Sequence, residues 1–217
     1  MKKIVAILLS LMAISCLLTA CTPIPPGGEP SPDGGSDGED ARDLKVVCDR
    51  LNTLSAMKYK KIHLTVTTVA DDIELTASYI LTGDIVTYSI QQLNLLPEDG
   101  LQTDIPADYK TVISGSAKIE NGTVTQIDGE SVSLPSYSQL IGAFRFSEKN
   151  LRNAVLENEK LTADIISASE LFGTVSKATD MKLIAEYSPV ALTTLCVQYH
   201  SEKAEVSTVY QFFTSAD

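Results

Sequence analysis

The sequence predicts an α+β fold: a strongly curved antiparallel sheet, an open half-barrel of roughly eight to eleven strands, with an N-terminal helix and short helices packed on one face. Three observations predict it. Leu44, Val47, Cys48, Leu51 and Leu54 recur at steps of three and four, the spacing of one helix stripe. From Ile62 onward the apolar period changes to two, the alternation of strands with one covered face. Turn signals punctuate those alternating runs at short intervals, as antiparallel hairpins require.

Each element follows from its residues. In the helix, Lys45, Asp49, Arg50 and Asn52 fall opposite the apolar stripe. Ile62, Leu64 and Val66 then alternate with His63, Thr65 and Thr67, and after Asp71-Asp72 the residues Ile73, Leu75, Ala77, Tyr79 and Leu81 alternate with Glu74, Thr76 and Ser78. Gly83-Asp84 turns the chain into a third strand, Ile85 to Gln92. An irregular stretch around Pro97, Gly100 and Pro106 precedes a strand from Tyr109 to Glu120, the turn Asn121-Gly122, and a strand from Thr123 to Asp128 that ends at Gly129. Ser136 to Phe144 reads as a short helix capped by Ser136. Leu151 to Leu156 and Leu161 to Ile166 pair around Glu157-Asn158-Glu159-Lys160, although propensity alone would make Glu148 to Lys160 helical. Ser167 to Phe172 reads as a helical turn stopped by Gly173, and strands near Met181 to Tyr187, Leu192 to His200 and Ala204 to Phe213 close the chain.

Three regions divide the chain: residues 1–20, residues 21–43 and a single globular domain over residues 44–217. Lys2 and Lys3 precede an apolar run from Ile4 to Leu18, shorter than the ~20 residues needed to span a bilayer, so residues 1–20 read as a cleaved signal. Leu18-Thr19-Ala20-Cys21 resembles the bacterial lipoprotein signal, in which the cysteine becomes the acylated first residue. Cys16 competes, but no large aliphatic residue stands three positions before it. The resemblance implies lipidation at Cys21 and, with two or more acyl chains, lasting membrane attachment. It places the protein outside the cytoplasm, on the outer face of the cell membrane or on the outer membrane of a two-membrane host. Thr22 to Asp43 carries five prolines, five glycines and six acids against Arg42, a composition that cannot bury a core. It reads as a solvated tether; Asp33, Asp37, Glu39 and Asp40 lack the ordered spacing of a calcium loop.

The formal charge is −11, and it becomes −13 once residues 1–20, with Lys2 and Lys3 and no acid, are removed. That sign excludes nucleic acid and anionic headgroups as surface partners. The reading is of no enzyme, no catalytic residue, no metal and no cofactor. His63 and His200 lie on separate strands, each on the face away from the stronger apolar set. No nucleophile elbow, phosphate loop or paired-cysteine metal spacing occurs, and Ser114-Gly115-Ser116 sits inside a strand-like run. Acid pairs such as Glu157 and Glu159 fall in expected turns. Cys48 and Cys196 could pair in an exported protein, but Cys196 alternates with Leu195 and Val197 and so faces away from a helix packed on that apolar side.

The element order, with the phrases Leu161-Thr162-Ala163-Asp164-Ile165, Leu171-Phe172-Gly173 and Asp180-Met181-Lys182-Leu183, resembles the lipoprotein-carrier and lipid-carrier group typified by LolA, LppX and LprG. That resemblance covers most of Leu44 to Phe213 and implies a half-barrel, plugged by helices, that encloses an apolar ligand. Leu64, Val66, Leu75, Tyr79, Leu195, Val197, Tyr199, Tyr210 and Phe212 are the candidate lining of the concave face. Two functions follow from that face. A gap between helix and sheet makes the domain a tethered module for a lipid or other apolar ligand. A face filled by Leu44, Val47, Leu51 and Leu54 makes it an ordinary core in an envelope protein that contacts another, unidentified protein through its acidic surface or exposed strands.

Overall fold

The alternation resolves into ten strands of a single antiparallel sheet in the computed structural model, which describes residues 40–71, 73–94, 110–166, 178–201 and 203–215. In chain order they are β1 (Lys61–Ala70), β2 (Ile73–Thr82), β3 (Ile85–Asn94), β4 (Lys110–Glu120), β5 (Thr123–Gly129), β6 (Leu151–Glu157), β7 (Lys160–Ile165), β8 (Thr179–Tyr187), β9 (Leu192–Ser201) and β10 (Ala204–Phe213). Across the sheet they run β5-β4-β3-β2-β1-β10-β9-β8-β7-β6, so two hairpin meanders join where β1 pairs with β10, and β5 and β6 remain as open edges. The α1 helix (Asp40–Ser55) lies on one face, and a single short helix, α2 (Tyr137–Leu140), and a 3₁₀ turn (Glu148–Asn150) complete the described elements. The described residues are thus mostly sheet, with less helix among them than an α+β layout implies. The expected helical turn over Ser167 to Phe172 lies outside the described residues.

Turn chemistry explains the hairpins. Asn121 and Gly122 take φ of 52° and 77°, the left-handed pair that a two-residue turn of matching twist requires. Asn158 and Glu159 do the same at 49° and 60°, so this local geometry overrides the helical propensity of Glu148 to Lys160. The expected helix from Ser136 to Phe144 stops early for a local reason. Ser136 caps it and exchanges bonds with Gln139, but Gly142 turns left-handed at φ 63° and ends it.

Period two sorts the sheet into a covered and an open face. Ile62, Leu64, Val66 and Thr68 lie opposite Leu81, Tyr79, Ala77 and Leu75 on one side, and opposite Phe212, Tyr210, Thr208 and Val206 on the other. These rows form the covered face, onto which Cys48, Leu51 and Leu54 of α1 pack in one buried core. Between β5 and β6 the chain crosses the same face and inserts Leu140, Phe144 and Phe146. Asn52 ties helix to crossing: its Nδ2 donates to the Phe146 carbonyl at 2.8 Å and its Oδ1 accepts from the Phe146 amide at 2.7 Å. Tyr59 ties the helix end to β9, donating its hydroxyl to the Leu54 carbonyl and accepting from the Leu192 amide, both at 2.9 Å.

Candidate functional site

Register places all nine sequence-predicted lining residues on the covered face. Leu64 lies between Tyr79 and Tyr210, and Tyr210 lies opposite Leu195. Val66 faces Thr208, which faces Val197; the next row runs Leu75, Thr68, Val206, Tyr199. Phe212 lies opposite Ile62, at the strand end reached by Tyr59, whose ring stands 4.8 Å from it.

Coverage of this face is uneven. Leu64, Leu75, Tyr79, Leu195, Val197, Tyr210 and Phe212 are at most 5% exposed, so protein atoms already occupy the space before them. Tyr210 shows how: its ring meets Phe144 edge-on at 5.1 Å, and its hydroxyl donates to the Gln139 carbonyl at 2.7 Å. Burial raises the hydroxyl pKa of Tyr210 and raises that of Tyr79 to about 12. Val66 and Tyr199, by contrast, stay partly exposed, as does Thr208 opposite Val66. These three lie toward the end of the sheet where the β1–β2 and β9–β10 hairpins turn.

One further residue belongs to that end. Thr68 is only 3% exposed, yet its Oγ1 has no hydrogen-bond partner among the described residues. A buried hydroxyl without a partner costs ~1–3 kcal/mol, so its position asks for a ligand atom or an explanation in packing. Sequence reasoning missed it, although a signal existed: Thr68 stands where the series Ile62, Leu64, Val66 calls for an apolar residue.

The remaining reactive groups lie elsewhere. His63 sits on the open face, bonded to Ser78 Oγ at 2.7 Å. His200 is also on that face, between Asp180 and Glu205, with Nε2 3.1 Å from the Glu205 carboxylate. Cys48 is buried among core side chains, and burial raises its thiol to about 11. Cys196 lies opposite Ile184 and Val209 on the open face, so the sheet separates the two thiols and both are free. Among the described residues no group of three or more His, Cys, Asp and Glu side chains is placed to hold a metal ion. No described helix is long and apolar enough to cross a membrane, and Cys21 lies outside the described residues. No protein-family model matches the chain, and no curated protein matches it.

Proposed function

We infer that this chain is an exported lipoprotein, anchored through Cys21, whose sheet curves into a half-barrel that binds an apolar ligand at its hairpin end. The observation that carries the reading is the buried, unpartnered Thr68 hydroxyl beside the partly exposed Val66, Thr208 and Tyr199. An apolar molecule bearing one hydrogen-bond acceptor, such as an acyl ester, suits that combination: its chain meets Val66 and Tyr199 and its oxygen accepts from Thr68. The other lining candidates, Leu64, Leu75, Tyr79, Leu195, Val197, Tyr210 and Phe212, form the packed floor behind this end. The 18 residues between Cys21 and Asp40 reach about 60 Å when extended, enough to let the domain face the bilayer or turn from it.

A second reading has its own support. Seven of the nine lining candidates are sealed by protein, which favours a filled core and a role in contacting another envelope protein. Ligand retention by wild type and by Thr68→Val decides between them. The carrier reading expects an apolar adduct on the purified chain that Thr68→Val weakens; no adduct on either protein supports the filled core.

A further inference from the structure

One end of the sheet carries exposed apolar tips beside unmatched cations. It is the end where β1, β3 and β9 begin and β8 and β10 finish, opposite the Thr68 end. Pro189 and Val190 form the tip of the β8–β9 turn, and Val190, at 70%, is the most exposed large apolar residue among those described. The turn is held in place. Ser188 donates its amide to the Ala191 carbonyl at 2.7 Å, while Arg50 of α1 donates to the Ser188 carbonyl at 3.4 Å and lies 5.5 Å over the Tyr187 ring. Met57 in the link from α1 to β1 and Ile85 at the start of β3 add exposures of 42% and 37% at the same end. Scattered single apolar residues are ordinary on a surface, but three gathered at one end ask for an occupant.

The run Met57-Lys58-Tyr59-Lys60-Lys61 sets three lysines beside these tips. Lys58 and Lys60 are exposed, Lys61 lies 5.1 Å over the Phe213 ring, and none of the three pairs with a carboxylate among the described residues. The acids of this end are engaged or distant. Glu120 pairs with Lys118 at 2.8 Å, Glu186 pairs with Lys160 at 3.0 Å, and Asp84 exerts its field on Lys118. Glu157 and Glu159 sit at the β6 edge, five strands from β1, which is ~24 Å or about three Debye lengths at physiological salt. At the Thr68 end the balance reverses, with Asp71, Glu74, Asp180 and Glu205 against Lys110 and Lys203. A whole-chain charge of −11 therefore conceals a cationic end.

We propose that this end rests on the anionic surface of the membrane that holds the lipid anchor, with Val190 and Met57 entering the headgroup layer and Lys58, Lys60 and Lys61 against lipid phosphates. The proposal rests on the anchored-lipoprotein reading above. Each lysine close to an anionic surface contributes about fivefold in affinity, and apolar tips add to it. That is too little to hold a free protein and enough to orient one that its anchor already keeps beside the bilayer at high effective concentration. The tether permits the orientation, because α1 is 16 residues long, about 24 Å, and the ~60 Å reach of residues 22–39 exceeds it. Thr68 lies eight positions along the chain from Lys60, about 26 Å from this surface. The opening beside Val66 and Tyr199 thus faces away from the protein's own membrane.

The test places the full acylated chain in vesicles of phosphatidylcholine, alone or with about one-third phosphatidylglycerol, and confirms attachment by flotation. A water-soluble acetylating reagent then reports each lysine by mass spectrometry. On the anionic vesicles Lys58 and Lys60 react about tenfold more slowly than on the neutral ones, Lys203 keeps its rate, and high salt removes the difference. Val190→Asp, at an exposed turn position, narrows the difference to less than about threefold without changing the melting temperature. A chain that floats with neither vesicle overturns the lipid anchor and this proposal with it. A chain that floats with both overturns the proposal alone if Lys58 and Lys60 react equally on the two, or if Lys203 is protected in their place. Protection by a polyglutamate peptide with none from anionic vesicles assigns the end to an acidic protein and also overturns it.

Discussion

Thr68 gives the sharpest expectation for a single side chain. Thr68→Val keeps the branched shape and removes the unpartnered hydroxyl, so urea unfolding should find the ligand-free protein more stable by ~1–3 kcal/mol. A loss of stability would mean that the hydroxyl is bonded in solution. Glu159 makes a second case, because it holds a left-handed φ of 60° that costs a non-glycine residue ~1–2 kcal/mol. Glu159→Gly should therefore stabilise the protein by up to about 1 kcal/mol in the same assay, part of the gain being lost to the greater freedom of glycine in the unfolded chain. Cys48 sets an alkaline limit: its folded thiol ionises near 11 because burial disfavours the thiolate. The unfolded thiol ionises first, so its contribution to stability is complete below pH ~8.5 and is lost as pH rises toward the folded value. Unfolding midpoints measured from pH 8 to 11 should fall for wild type and fall less for Cys48→Ala. His63 and Cys196 were legible in the sequence because strict alternation assigns a face to each. Thr68 was harder to read: alternation puts it in line with Ile62, Leu64 and Val66, but a threonine is equally at home on a solvated strand face and only its burial shows that it is covered.

At the scale of elements, the crossing between β5 and β6 and the α1 helix hold each other down on the sheet. Asn52 makes two short bonds to the Phe146 backbone, and Asn52→Ala leaves that buried amide and carbonyl unpaired. Urea titration should show a loss of ~2–4 kcal/mol, with earlier exchange of the α1 amides; a change below ~0.5 kcal/mol would show that helix and crossing are held independently. The helix stripe was legible from Leu44 to Leu54, but the observed helix begins at Asp40, inside a stretch whose acids and glycines read as tether. Acidic residues favour a helix start, so composition alone blurred that boundary. The short α2 helix was legible in its cap and not in its length. Gly142 ends it by turning left-handed, and a side chain there would meet Phe144, Phe212 and Tyr210, a crowding that only the tertiary structure reveals.

For the molecule as a whole, the hairpins β1–β2–β3, β4–β5, β6–β7 and β8–β9–β10 were legible from local turn signals, whereas the pairings of β3 with β4 and of β7 with β8 bridge longer stretches that no tight-turn signal specifies. Pairing of β1 with β10 joins residues at opposite ends of the domain, such as Leu64 and Tyr210, and no local signal specifies it. Coverage of the sheet face was equally illegible, because α1 and the crossing divide it between them and leave Val66 and Tyr199 partly exposed. Cys21→Ser should release the protein from salt-washed membranes while leaving its unfolding curve unchanged; persistence in the membrane fraction after signal removal would contradict lipid anchorage. Native mass spectrometry of the chain extracted from membranes reads out the proposed ligand site at the Thr68 end of the tethered half-barrel: wild type should carry a reproducible apolar adduct that is reduced in Thr68→Val, and a clean unliganded mass for both proteins refutes such a site.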